Sequence, residues 1–583
     1  MNVSEILEFK QWVVGERNSK RVNEQAEDQK FFTDEYDLPL IKDTKYQIKT
    51  GYVADMANTI TNQLIGTNPR CYVEPKNHGE NTKKASDRVA RTGNEWLSYW
   101  LRAYSNPYRE TFKDKFVRGE SYIYLVHNEA LAKWMKGKWQ EETPKTCPVI
   151  PIFYDPMVVF IDPSEELNGQ PSRVVVSYKR TAGDLHTRYP YWDTGDLKPS
   201  KLIDFFLYYD KDNVFAFAGD LKEGAPLFSD SDGNLSNGTG IKRNIYGEVP
   251  FLHRYSGWGK SDAGKSPELM AFSRIRQLRN LIVEDSTMAS DFSKNIHTTA
   301  APHRTLFIPE TSNINEVEAF KGYNPAPDTI SIVRLPSGVP KEYFDVEKTL
   351  TYGPEVFAYA SQVRGRLNTK YPESVQGIAS GTSGRQEDIL NSAGLSIYDC
   401  AVDNTNTLWA DVIALGIRIC SNKELDILPP DLQENDYKSY AEITVNLRKD
   451  DPIDMARKTA TVERQWQMGL ITHEKALMEM GYTKEEANRM RAEAWVEMVM
   501  RSNPAIVQMI VQVMAQEMNQ EEQMSQIQGI VSNAVSGLNP SPDYGAKGGE
   551  PRTGNIKTEA GMEQADMGEI RPARQSPQGA VYG

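Results

Sequence analysis

Between Leu269 and Ile296 apolar residues return every three or four positions, at Leu269, Phe272, Ile275, Leu278, Ile282, Met288, Phe292 and Ile296. Ser266-Pro267-Glu268 opens this run with a capping serine, a proline suited to the first helical position and an acid at the positive helix end. The spacing predicts a helix of about 30 residues and about 45 Å. Few single domains can bury a stripe of that length, so neighbouring copies of the chain are its natural cover.

The chain has 583 residues, more than the about 250 to 300 at which a single core stops growing, and several domains are expected. Lys and Arg number 67 against 80 Asp and Glu, a net charge of −13. That balance excludes a simple basic DNA-coating protein, which needs clustered positive charge. No run approaches the about 18 uncharged apolar residues of a membrane helix. The first residues, Met-Asn-Val-Ser-Glu-Ile-Leu-Glu, carry acids where an export signal carries bases. A protein that stays inside the cell and off the membrane is expected. Cys71, Cys147, Cys400 and Cys420 form no CxxC pair and the seven histidines are scattered, which disfavours a zinc site or disulfide framework and fits a reducing cytosol.

Two amphipathic helices are predicted to open the chain, with Ile6, Phe9, Trp12 and Val13 apolar, and Val53, Met56, Ile60 and Leu64 form another stripe ending at Gly66. A short strand at Cys71 to Val73 precedes helices through Trp96 and Trp100 and through Tyr108, Phe112 and Phe116. Between about 120 and 255 the pattern changes to short β runs at 121–126, 149–153, 158–161, 174–178, 205–209, 214–218 and 249–255. Gly, Asp, Asn and Pro punctuate them, as in an antiparallel sheet with hairpins. The fold class expected is therefore α+β.

After the long helix, 300–346 is Pro-punctuated with strands at Thr305 to Ile308 and Ile330 to Val333, and a second helix is expected over 349–366. A Gly/Ser/Thr segment, 368–384, then separates it from a helix over 386–420, net −4 from five acids and Arg418. A strand at Ile443 to Leu447 and helices at 453–468, 473–480, 484–500 and 504–536 follow, with a turn at Gly469 and a Thr483/Glu486 capping box. Residues 537–583 hold nine Gly and five Pro and read as a disordered tail.

Gly259-Lys-Ser-Asp-Ala-Gly264-Lys265-Ser266 satisfies the G-x-x-x-x-G-K-[ST] pattern of a phosphate-cradling loop. A P-loop NTPase is thus an alternative reading. Such a loop needs a preceding buried parallel strand and a helix starting near the lysine. Here His253 and Arg254 precede it and Pro267 follows, so helix capping is the preferred reading. Asp230-Ser-Asp-Gly-Asn234 begins like a calcium loop but has Leu235 and Ile241 where Gly and Glu are needed. Gly377 to Gly384 lacks the frame of a serine nucleophile. No catalytic residue, metal ligand or cofactor site is expected.

The order of elements, together with five local segments, resembles the portal proteins of tailed bacteriophages. Asn58 to Pro69 is similar to the family's early helix ending in Leu-x-Gly-x-x-Pro, and Val158-Val-Phe-Ile-Asp-Pro163 to its wing strand. Val249-Pro-Phe-Leu-His-Arg-Tyr with Gly264-Lys-Ser-Pro-Glu-Leu-Met resembles the strand leading into the first stem helix. Ser380 to Leu395 resembles the loop and helix lining the channel, and Met468 to Gly481 the helix-turn-helix after the wing. The resemblance covers about residues 30 to 500.

It implies a ring of twelve subunits at one capsid vertex, assembled in the host cytoplasm. The terminase large subunit drives double-stranded DNA through such a ring without sequence readout, and a head-tail adaptor, the major capsid protein and scaffolding protein contact it. It further implies N-terminal helices and wing over 1–266, stem helices over 267–298 and 349–366, a clip over 299–348 and a tunnel loop over 367–385. A channel helix and wing return would take 386–452, and a helical crown or barrel 453–536. Arg366, Lys370, Ser380, Thr382, Ser383 and Arg385 become the DNA-facing candidates, with Glu387, Asp388 and Asp399 the acids of the channel helix. An acidic channel would repel phosphates that Lys and Arg otherwise hold.

Overall fold

In the computed structural model the chain divides into two units, Met1–Arg457 and Lys458–Gly583. The structure describes residues 2–41, 47–77, 79–128, 147–162, 169–192, 197–220, 224–230, 234–260, 266–300, 304–309, 330–335, 344–346, 352–371, 394–425, 427–429, 431–449, 452–480, 482 and 487–494. Within them both helices and sheets are present, and the class is mixed α and β.

The first unit opens with α1 (Val3–Gln11), whose Asn2 cap and Glu5 exchange reciprocal hydrogen bonds. A π-helical turn, Trp12–Arg17, leads into α2 (Ser19–Phe32). In α3 (Tyr52–Leu64) the predicted stripe of Val53, Met56, Ile60 and Leu64 is fully buried. The helix passes directly into β1 (Ile65–Pro75). Helices α4 (Glu80–Ala103) and α5 (Pro107–Arg118) follow, the second started by Asn106 and Pro107 and stopped by Gly119 in the left-handed region.

The β-rich stretch forms two sheets where one was expected. β2 (Glu120–His127) lies between β3 (Val149–Tyr154) and the later strand Phe251–Tyr255, all antiparallel. At Asp155 the chain leaves that sheet: the Asp155 carboxylate accepts from Met157 N and caps a 3₁₀ turn at Pro156–Val158. The second sheet runs β4 (Val159–Ile161), β5 (Val174–Thr181), β6 (Leu202–Tyr209), β7 (Asn213–Ala218) and β8 (Ala225–Pro226), with β9 (Ile241–Arg243) also on β7. Helix α6 (Ala182–Arg188) links β5 to β6.

Period-two alternation with cover on both faces explains the consecutive apolar residues Val174–Val176 of β5 and Phe205–Tyr209 of β6. Val174, Val176, Phe205, Leu207 and Tyr209 face a core shared with Tyr122 and Tyr124 of β2 and with Phe251. The intervening Val175, Phe206 and Tyr208 face Ile6 and Phe9 of α1 and Val13. The N-terminal helix thus covers the outer face of the second sheet.

After β10 (Phe251–Tyr255) the predicted long helix is broken. It begins as α7 (Pro267–Met270), with Pro267 in the first turn but no capping bond to that turn from Ser266. A 3₁₀ turn at Ile275–Gln277 follows, and only Arg279–Ala300, α8, is a long helix, about 33 Å. Tertiary bonds take the backbone groups that a continuous helix would need. Arg274 N donates to Phe116 O at 3.1 Å and the Ser256 hydroxyl to Phe272 O at 2.9 Å. Gly119, at φ +81°, makes room, since a Cβ there would lie 2.4 Å from the Ala271 carbonyl carbon.

Between α8 and the next helix, β11 (Arg304–Pro309) pairs parallel with β12 (Ile330–Leu335) and antiparallel with β13 (Phe344–Val346). The second helix, α9, spans Pro354–Lys370, so it starts later than 349 and runs four residues past Arg366. Of the predicted helix 386–420, residues 386–393 lie outside the described residues. A 3₁₀ turn at Ser396–Tyr398 precedes α10 (Asp399–Cys420). β14 (Tyr440–Arg448) returns to pair antiparallel with β1.

Helix α11 (Pro452–Gln467) leads into the second unit, where the turn at Gly469 (φ +70°) precedes α12 (His473–Glu479). Residues 487–494 are also helical. The expected capping box at Thr483/Glu486, the helix at 504–536 and the tail at 537–583 lie outside the described residues.

Candidate functional site

Helices α8 and α9 pack as an antiparallel pair. Asp291 O accepts from the Tyr352 hydroxyl just before α9 (3.2 Å), Phe292 stacks on Phe357 with ring centres 5.6 Å apart, and Asp285 pairs with Arg364 at 3.6 Å. The root of the pair is buried and hydrogen-bonded: Ile275, Leu278 and Ile282 are in the core, Tyr36 shares a 2.7 Å hydrogen bond with Ser286, and Ile48 N donates to Ser290. The far part differs. Ile296 is 66% exposed and Phe357 57%, and Tyr359 is also exposed, a run of large apolar side chains on one helix pair.

The charge of the pair is not acidic. Arg279 and Lys294 against Glu284, Asp285 and Asp291 give 2 − 3 = −1 on α8, and Arg364, Arg366 and Lys370 against Glu355 give 3 − 1 = +2 on α9. The positive excess sits in the last two turns of α9, where Val363 and Leu367 are buried and Arg364, Arg366 and Lys370 are exposed. Arg366 and Lys370, four residues apart, share one helical face. Lys370 is therefore helical, where a loop was expected. Of the other proposed DNA-facing residues, Ser380, Thr382, Ser383 and Arg385 lie outside the described residues, as do Glu387 and Asp388.

Both flanks of that undescribed stretch are anchored. Tyr371 sets its ring edge-on to Tyr52 at 5.6 Å, and the Tyr398 hydroxyl donates to Lys370 O at 3.0 Å. Burial, ahead of the repulsion from Tyr398 and Tyr371, pushes the Tyr52 phenol well above its ordinary value. These hydroxyls stay protonated and act as hydrogen-bond donors.

Helix α10 is largely buried within the chain. Thirteen of its 22 residues are buried, and Trp409 lies at the centre of the main core, 4.6 Å from the Tyr108 ring and 5.6 Å from Trp100. Three of its charges are neutralised inside the chain: Asp399 by Arg448 (3.1 Å), Asp411 by Arg254 (2.8 Å) and Arg418 by Glu248 (3.1 Å). Their partners lie 49 to 170 positions away in the sequence. Facing α10 is Lys115, fully buried, with its ammonium nitrogen 3.0 Å from Thr405 Oγ1. Burial, then Arg254, lowers it well below the ordinary lysine range.

The most polar buried cluster carried no signal in the sequence. Glu120, at the head of β2, accepts from Arg21 and Gln25 of α2, from Tyr122 (3.0 Å) and from His253 of β10 (2.9 Å). Arg21 also donates to Val159 O at 2.8 Å. Burial alone would raise the Glu120 carboxyl, but Arg21, His253 and Gln25 outweigh it and hold it at about 2. The cluster ties α2 to both sheets. Only an acid opening an apolar strand could have hinted at it.

The flanks of the phosphate-loop pattern are on view, although Gly264 and Lys265 lie outside the described residues. The preceding strand, β10, is antiparallel at the edge of its sheet, and the helix that follows Ser266 has four residues. Neither is the parallel strand or the long helix that a phosphate cradle requires. Among the described residues no three His, Cys, Asp or Glu side chains could hold a metal ion, and no helix is long and apolar enough to cross a membrane. Neither a protein-family model nor a curated protein matches the chain.

Proposed function

We propose that the chain is the subunit of a portal ring of the tailed-bacteriophage type, set at one capsid vertex of the virion. Such a ring conducts double-stranded DNA during packaging by the terminase and during exit, and it carries the tail. The observation that bears most on this reading is the antiparallel pair α8 and α9. It encloses a small three-stranded sheet in its connection and exposes Ile296, Phe357 and Tyr359 on its far part. Helices of a self-contained domain bury such side chains, whereas helices of a ring present them to the next subunit.

In this reading the stem is Arg279–Ala300 with Pro354–Lys370, and the clip that meets terminase and later the head-tail adaptor is the connection between them. Residues 1–266 form the wing, which faces capsid and scaffolding proteins. Arg366 and Lys370 offer phosphate contacts without base readout, and the helix pair carries a net +1. DNA slides when such contacts are few, because each adds affinity through released counterions.

Negative-stain images and native mass measurement of the purified protein test the ring. A closed particle of about twelve subunits with a central hole is expected. A stable monomer at micromolar concentration overturns the reading. Function is tested separately by replacing residues 372–384 with a Gly/Ser linker of equal length: rings should form and package less DNA. Normal packaging and retention would assign the DNA contacts elsewhere.

A further inference from the structure

A cavity of about 510 Å³ opens between α2, α5 and the end of β3, a size suited to a small organic ligand. Its walls include the rings of Phe32, Tyr104, Phe153 and Tyr154, with Tyr104 edge-on to Phe153 at 6.0 Å. Five charged side chains also line it. Glu110, Asp114 and Asp155 against Lys113 and Arg118 give 2 − 3 = −1.

Four of the five are paired. Lys113 meets Glu110 at 3.3 Å, Arg118 meets Asp155 at 3.1 Å and also donates to Gln25 O at 2.7 Å, and Asp155 accepts from Met157 N. The half-buried Asp114 carboxyl alone has no hydrogen-bond or ion-pair partner among the described residues. The one carboxyl of the lining left without a partner therefore belongs to Asp114, beside aromatic faces that attract cations.

We propose that this cavity binds an aliphatic primary ammonium ion, its charge on Asp114 and its carbon chain against Tyr104 and Phe153. The assignment is independent of the ring reading. A metal ion would need several convergent oxygens, and here the other two carboxylates are engaged by Lys113 and Arg118. A primary ammonium keeps three donors for the carboxylate, and its chain gains from contact with the rings.

The empty site has a defined protonation state. Burial, then the Asp155 carboxylate, pushes the Asp114 carboxyl up to about 8, while Arg118 and Lys113 pull the other way and Glu110 adds to the rise. At neutral pH the guest therefore meets a carboxylic acid. The carboxyl O–H proton passes to solvent as the carboxylate–ammonium pair forms, so one proton is released per guest. Affinity then rises about tenfold per pH unit up to about pH 8 and levels off above it.

Calorimetric titration of the full-length protein with hexylammonium, in two buffers of different ionisation enthalpy, reads both affinity and proton release. One site per chain and nearly one released proton at pH 7 are expected, with 1-hexanol at least about tenfold weaker. Asp114→Asn should erase the preference for the amine over the alcohol and the proton release. Tyr104→Leu, which leaves every charge in place, should weaken the amine and keep the proton release. Failure of hexylammonium to saturate by about 10 mM at pH 8.5, or equal selectivity in Asp114→Asn and the natural chain, overturns the assignment.

Discussion

The Tyr398 hydroxyl donates to the backbone carbonyl of Lys370 at 3.0 Å, across 28 positions of sequence. One hydrogen bond thus pins the end of α9 to the turn that opens α10, whatever path the chain takes between them. Arg274, from the break before α8, lies 5.5 Å from the Tyr398 ring, so three segments meet at one phenol. Tyr398→Phe should cost about 1 kcal/mol in chemical denaturation and leave oligomeric state unchanged. A loss near zero would show that Lys370 finds another donor.

Gly119→Ala should be among the most damaging small substitutions in the chain. The backbone is at φ +81° and the new methyl would meet the Ala271 carbonyl, so left-handed strain and a backbone clash add. About 3 kcal/mol or more of destabilisation is expected, read as a fall in melting temperature. Gly365→Ala, where a Cβ meets nothing within 4 Å, should be neutral or slightly stabilising.

Lys115→Met should stabilise the protein at neutral pH. The folded lysine is held below its unfolded value, so folding at pH 7 is opposed by loss of a proton or by burial of a charge. Methionine has neither cost and keeps the volume, while Thr405 retains its own bond to Ala401 O. The sign fixes the pH dependence: the advantage is largest below the folded pKa and vanishes as pH approaches the unfolded value near 10.5. Thermal melts of both proteins across neutral to alkaline pH measure it.

Glu120 works in the opposite direction. Its folded carboxyl is held at about 2, below its ordinary 4.5. Its contribution is present above pH 4.5 and is lost as pH falls through about 2. Glu120→Gln removes that acid-dependent loss and also leaves Arg21 buried with a neutral partner, at about 3 to 5 kcal/mol. Acid titrations of stability should show a shallower slope in the variant than in the natural chain.

Phe357→Glu and Ile296→Glu test the exposed face of the helix pair. Both side chains are more than half exposed, so a charge should cost the isolated subunit less than about 0.5 kcal/mol at Ile296 and about 1 kcal/mol at Phe357, which also loses its stack on Phe292. In the ring reading each variant should dissociate the particle into folded subunits, seen by native mass measurement. Rings that form as before would remove this face from the subunit contact.

Much of the fold was legible wherever period and punctuation agreed. The stripe from Val53 to Leu64, the helix through Tyr108, Phe112 and Phe116 and the strand runs at 174–178 and 205–209 follow from spacing alone. The break between Met270 and Arg279 was not legible, because the groups that capture it, Phe116 O and the Ser256 hydroxyl, come from elements far away in sequence. The same holds for the candidate sites. Arg366 and Lys370 announce themselves as exposed bases on a helix, but the neutralisation of Asp399 and Asp411 depends on Arg448 and Arg254. A lone Asp114 in an aromatic cavity has no signature in one dimension.

The root of α8 is moored to the start of the chain. Arg279 reaches Glu24 at 2.8 Å and Asp28 at 2.7 Å, and Arg276 reaches Asp28 at 3.3 Å. Asp28 is fully buried and lies 251 positions from Arg279. N-terminal truncation therefore has a threshold. Cutting before Ser19 uncovers one face of a sheet and leaves the arginines engaged, whereas cutting beyond Asp28 strands two guanidinium groups at the foot of the helix pair. During synthesis, too, the first helices must wait for residue 279 before their acids find their partners, so early chain ends are the last to settle.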